Sequence, residues 1–142
     1  MLPELASPKN GVGAARGRAR RDGAIGVALA MAGLIHWLPL PGLFGADALR
    51  GLYGLDIASP DALILLQHRA LLFGVLGAFL LGAIRQPAWR TPALLGGLIS
   101  TTGFLVVAIV VGEFGAEVRR VVIADVVALA ALLAGGLLHW RR

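Results

Sequence analysis

The 142-residue chain contains no cysteine. That excludes disulfides, thiolate metal sites, Cys-x-x-Cys redox chemistry and covalent attachment of a c-type haem. Aromatic residues make up only 6% of the chain, with a single tyrosine, and lysine occurs once, at Lys9. No His-Glu-x-x-His and no compact three-ligand set is present, so zinc hydrolysis has no framework and no metal site is expected. Acidic residues number eight against thirteen basic ones, a net charge of +5. Such an excess can signal nucleic acid, but no basic surface interleaved with aromatics supports it, and nucleic acid is not an expected partner.

Apolar residues are plentiful: 58% of the chain, with a mean hydropathy of +0.82 and 20 glycines. Soluble domains carry roughly 45–50% apolar residues, and glycine is frequent where helices pack in lipid. Four apolar runs, at about 24–40, 61–84, 93–112 and 118–138, are long enough to cross a hydrocarbon core of about 30 Å. The predicted fold class is therefore all-α and integral to the membrane, a four-transmembrane-helix up-down bundle. Residues 1–22, rich in Gly, Ala, Pro and Arg without apolar periodicity, predict a mobile basic tail, and residues 23–142 the membrane domain. The length leaves nothing for a separate soluble catalytic domain. A basic region before an apolar run also describes a signal peptide, but the run is long, carries His36 and Trp37 and lacks an A-x-A site. An uncleaved signal anchor is the expectation.

Local signals set the boundaries. Pro39 and Pro41 stop the first span. Ser59-Pro60-Asp61 opens the second, with a capping hydroxyl, proline at the first helical position and an acid in the first turn. Arg85-Gln86-Pro87 closes it, and Thr91-Pro92 repeats the capping device before the third. Between spans one and two, Asp47 is read as the cap of a short helix ending at Tyr53-Gly54, with Leu49, Leu52 and Tyr53 on its apolar side. That segment is either an interfacial helix on the membrane surface or an irregular loop.

Positive charge sets the orientation. Lys9, Arg16, Arg18, Arg20, Arg21, Arg85, Arg90, Arg141 and Arg142 fall on one side, and only Arg50, Arg119 and Arg120 on the other. The expected location is the bacterial inner (plasma) membrane, multi-pass, with both termini cytoplasmic. The basic N-terminal flank is expected to meet anionic lipids.

In this topology the polar residues fall at matched depths. Arg69 lies about 12 Å along span two from its outer end and Asp125 about 9 Å along span four. His68 adjoins Arg69, His36 lies near the outer end of span one and Glu113 at the outer end of span three. An isolated charge in hydrocarbon costs about 2.5–3.5 kcal/mol, so Arg69 and Asp125 are expected to pair across the core. A polar pocket for a small ligand or for protons is the alternative, and snorkelling a third. His36 and His68 could also hold a b-type haem, or a quinone, between spans one and two; otherwise no cofactor is expected. His139 reads as an interfacial anchor, and Ser100, Thr101 and Thr102 as bonding back to their own helix. Ala70, Gly74, Ala78 and Gly82 form a small-xxx-small stripe for helix packing.

Three segments carry a resemblance: Leu52-Tyr53-Gly54, Leu66-Gln67-His68-Arg69-Ala70-Leu71-Leu72-Phe73-Gly74 and Val121-Val122-Ile123-Ala124-Asp125. They resemble small uncharacterised four-span bacterial inner-membrane proteins with a Leu-x-His-Arg-Ala motif, over roughly residues 24–138. The resemblance implies the four-span architecture, points to His68, Arg69 and Asp125, and implies no activity. Some such proteins bear the name phosphopantetheine adenylyltransferase. This chain has no His-x-Gly-His, no glycine-rich phosphate loop and no alternating strand–helix pattern to go with it. The expected function is that of a non-enzymatic membrane protein, a homo-oligomer or an accessory subunit of a larger membrane complex. The alternatives are a small proton- or anion-coupled transporter and a haem- or quinone-binding redox subunit.

Overall fold

The computed structural model describes the backbone of residues 8–141 and the side chains of residues 12–141. The described residues form helices and no strand. Helix α1 spans Pro8–Trp37, α2 Ala46–Tyr53, α3 Pro60–Arg85, α4 Arg90–Val111 and α5 Ala116–Trp140. Short 3-10 turns at Leu40–Phe44 and Pro87–Trp89 lead into α2 and α4. Four helices are long and apolar enough to cross a membrane. Only 17–33% of the apolar window of each is buried, so most of the apolar surface has no protein partner. Leu65, Ile99, Ile109 and Val110 are among the large side chains left exposed. A surface of this kind exceeds what a soluble monomer tolerates.

The boundaries follow from local chemistry, with three departures from the sequence reading. Residues 1–22 are read from the sequence as a tail apart from the first span, but the chain is helical from Pro8 and runs into that span without a break. Alanine and arginine are good helix formers, and extending a helix already nucleated downstream costs little. Residues 1–7, the Lys9 side chain and Arg142 lie outside the described residues. Asp47 does not cap α2; Gly45, at φ 117°, takes that position, and Asp47 sits in the first turn, paired with Arg50. Gly54 ends α2 in the left-handed conformation that glycine enters without strain, as read from the sequence. Ser59 accepts from the Ala62 amide at 3.4 Å and opens α3 as expected. Thr91 does not cap α4: the Pro87–Trp89 turn runs straight into a helix beginning at Arg90, so Thr91 is already helical.

Each long helix packs on two others: α1 on α3 and α5, and α4 on α3 and α5. One apolar core joins them through Ile25, Leu29 and Ala32 of α1, Leu80 and Ala83 of α3, Ala93 and Leu94 of α4, and Leu132 of α5. All lie toward the end that holds Asp22, Arg90 and His139. Helices α1 and α3 approach each other closely at a pair of glycines. A Cβ added to Gly77 would sit 2.8 Å from the Gly33 carbonyl oxygen, and one added to Gly33 3.1 Å from the Gly77 oxygen. The expected stripe therefore holds at Ala70 and Gly74, which are buried, but then moves to Gly77. Ala78 is exposed, and Gly82 faces Trp89. Steps of four residues drift about 40° each on a helix of 3.6 residues per turn, so a step of three is needed to stay on one face.

Gly77→Ala should cost about 1–3 kcal/mol in detergent unfolding, because backbone on the partner helix cannot yield. Gly103→Ala, where an added Cβ meets nothing within 4 Å, should be neutral or stabilising by up to about 1 kcal/mol. Equal responses at the two positions would refute the α1–α3 contact.

Candidate functional site

Beyond the Gly33–Gly77 contact, away from the core, the bundle holds a cavity of about 260 Å³. Its polar lining is His36 from α1, Tyr53 from α2, Arg69 from α3, and Glu117, Arg120 and Asp125 from α5. Register brings these groups together. Arg69 lies nine residues into α3 and Asp125 nine residues into α5, and Tyr53 ends α2 beside them. The loop carrying α2 is tied down by Gln67 Nε2 donating to the Leu43 carbonyl at 3.0 Å, and by Arg50 bonded to Asp56 at 2.8 Å.

Arg69 and Asp125 share this cavity but form no ion pair with each other, contrary to the expected direct pairing. Arg69 lies instead among three aromatic rings, its guanidinium carbon 5.4 Å from the Tyr53 centroid, 5.0 Å from Phe73 and 5.6 Å from Phe104. A planar, weakly hydrated cation gains about 2 kcal/mol from such faces when desolvated. The aromatic faces satisfy the charge without consuming N–H donors. Neither Arg69 nor Asp125 makes a hydrogen bond to another described residue. Burial pushes the Tyr53 phenol above its ordinary value; the Arg69 charge opposes that rise and the Asp125 carboxylate adds to it.

His36 is buried, 3% exposed, and its Nδ1 lies 2.8 Å from the Ala32 carbonyl oxygen. A carbonyl only accepts, so Nδ1 carries the proton and Nε2 is left as the acceptor of the neutral ring. Phe73 meets that ring edge-on at 5.6 Å. The five-residue cluster expected from the sequence is thus brought together at His36, Arg69 and Asp125 only. His68 is exposed and lines a neighbouring cavity with Leu65, Leu72 and Ser100; Arg69 and Phe73 stand between the two cavities and line both. The next residue along a helix points about 100° away, so His68 meets Arg69 in this second cavity and not in the one that holds Asp125. Glu113 is exposed beyond the end of α4, and Glu117 supplies the acid instead. His36 lines the first cavity and His68 the second. Among the described residues no three His, Asp or Glu side chains form a metal-binding group.

The sequence reading passed over Phe73, Phe104, Glu117 and Arg120. Phe73 had a signal, since i and i+4 share a helix face with Arg69; Phe104 had none. A second polar group, at the other end of the bundle, was also missed. Arg90, 7% exposed, pairs with Asp22 at 2.7 Å, and His139 Nε2 lies 2.9 Å from Thr91 Oγ1. His139 is buried and joins helices rather than anchoring at an interface. Thr101 Oγ1 has no partner, so the expected bond back to its own helix is not made there. No family model, curated protein or solved structure matches the chain.

Arg69→Lys keeps the charge and loses the planar stack, so unfolding in detergent should show a loss of about 1–2 kcal/mol. Phe73→Leu should give part of the same loss. Undiminished stability of Arg69→Lys would show that the rings do not hold the guanidinium.

Proposed function

We propose that the chain is a non-enzymatic, four-span, up-down protein of the bacterial inner membrane, with both ends cytoplasmic, whose cavity binds a small charged solute in the manner of a carrier. The observation that carries this reading is a cation and an anion lining one cavity without spending a hydrogen bond on each other or on the protein. Charges at membrane depth are costly unless partnered. The rings around Arg69 offset part of that cost and leave its N–H donors for an anionic group. Asp125 is free to take a cationic group or a proton. Drug-sized ligands occupy pockets of about 300–1,000 Å³, so a cavity of about 260 Å³ suits a smaller solute such as an amino-acid zwitterion or a short carboxylate. His36 Nε2 adds one acceptor to the wall.

A second reading, a homo-oligomer or an accessory subunit of a larger membrane complex, is favoured by Ala78 and Gly103. These small residues face outward, where another helix could approach closely. A stoichiometric partner retained in mild detergent would support it.

Binding is tested with glycine, acetate and choline as probes on protein in nanodiscs, read by thermal shift. Glycine and acetate should stabilise the parent. Arg69→Gln should abolish both shifts, whereas Asp125→Asn should abolish the glycine shift and spare that of acetate. Folded variants that respond as the parent does, or a parent stabilised by choline alone, would overturn the reading. Orientation is tested in the cysteine-free background. Ala58→Cys should react with an impermeant maleimide on intact spheroplasts, and Ala88→Cys only after permeabilisation; the reverse pattern inverts the topology.

A further inference from the structure

The opposite end of the bundle holds a second cavity, of about 430 Å³, between α1 and the end of α5. It is lined by Arg18, Arg21, Asp22, Ile25, Leu138 and His139. Among the described residues, each nearby source of negative charge has a partner. Asp22 is paired with Arg90, whose side chain is 8% exposed. The last carbonyls of α5, the negative end of its dipole, accept from Arg21: Nε donates to Leu138 O at 2.6 Å and Nη2 to Arg141 O. Arg18 makes no hydrogen bond or ion pair with a described residue, so its donors are unspent. Arg90 also keeps a buried Nε without an acceptor. Two guanidiniums, Arg18 and Arg21, thus share with one carboxylate a cavity whose lining includes the apolar side chains of Ile25 and Leu138.

We propose that this cavity seats the phosphate diester of an anionic membrane lipid, with Arg18 as the principal ligand and the start of the lipid's apolar portion against Ile25 and Leu138. Guanidinium and phosphate match in charge and in fork geometry. A free phosphate would find the same cation but no use for the apolar floor. Several features place the cavity at headgroup level: α3 ends at Arg85, α4 begins at Arg90 and α5 ends at Trp140. The inference rests on the membrane-spanning reading for its source of phosphate, and is independent of the solute cavity at the other end.

The test uses full-length protein in phosphatidylcholine nanodiscs with and without phosphatidylglycerol, and native mass spectrometry to count the lipids retained. Phosphatidylglycerol should be retained selectively, and Arg18→Gln should weaken that retention about five-fold, the effect of one basic residue near a charged headgroup. Arg16→Gln, on the same helix but outside the cavity, should leave it unchanged. Equal loss in both variants, or equal retention of phosphatidylcholine, would overturn the site in favour of diffuse attraction. Stabilisation by inorganic phosphate that depends on Arg18, without lipid retention, would overturn the lipid assignment. A protein that enters nanodiscs but holds no extra anionic lipid refutes this site alone, while failure to enter a bilayer refutes the membrane reading and this inference together.

Discussion

The approach of α1 to α3 at Gly33 and Gly77 governs how the rest of the bundle is filled. A Cβ on either glycine would fall within 3.1 Å of the other's carbonyl oxygen, with Leu81 and Trp37 packed over the pair, and Trp37 Nε1 donates to the Gly74 carbonyl one turn further along, at 3.1 Å. On one side of this contact, Leu29, Leu80, Leu94 and Leu132 are fully buried and interdigitate. On the other side the helices carry His36, Phe73, Arg69 and Asp125, whose shapes and charges do not interlock, and a cavity results. In lipid, apolar side chains gain little by leaving the hydrocarbon for one another, so close backbone contact supplies the packing that the hydrophobic effect supplies in water. A glycine pair at mid-bundle therefore fixes the geometry of both halves.

The two ends treat buried guanidiniums differently. At the basic end Arg90 is neutralised by Asp22, and Arg21 caps the carbonyls of α5. Those contacts tie α1 to α4 and α5 and give the charges a structural task. At the cavity end Arg69 faces three aromatic rings. Ring faces attract a cation without accepting directional hydrogen bonds, so the guanidinium is positioned while its donors stay available. A direct salt bridge to Asp125 would have cancelled both charges and closed the space between them. The same residue type thus serves as a fastener at one end and as a poised group at the other, and the difference is set by what lies within a few ångströms.

Four apolar spans, the Ser59 cap, the short helix ending at Gly54 and the convergence of Arg69 with Asp125 were all legible in the sequence. Each rests on a local rule: run length, capping chemistry, glycine at a C-terminus, or residue counts from a helix start. Helix phase was harder to read. Ala78 and Gly82 fell out of the packing stripe because small steps of angular drift accumulate, and His68 faced away because adjacent residues diverge by about 100°. Glu117 lies just ahead of the apolar run that begins near 118, so run length alone leaves it outside the span, whereas α5 begins at Ala116 and carries it into the cavity wall. The Arg90–Asp22 pair joins residues 68 apart in sequence, and Phe104 reaches Arg69 from a different helix. Such contacts depend on rotation about helix axes, which a single sequence does not specify.

The length of α1 links the two ends. Its 30 residues extend about 45 Å, well beyond the roughly 30 Å that hydrocarbon requires. In a bilayer the excess projects on the side of Arg16, Arg18, Arg20 and Arg21. At about 100° per residue Arg16 and Arg20 fall about 40° apart, and Arg21 and Arg18 carry the charge round to about 200° of the circumference. Every described residue of α1 from 12 to 20 is exposed. Only where it re-enters the bundle, at Arg21 and Asp22, do its charges acquire fixed partners, and that is the level at which the second cavity opens.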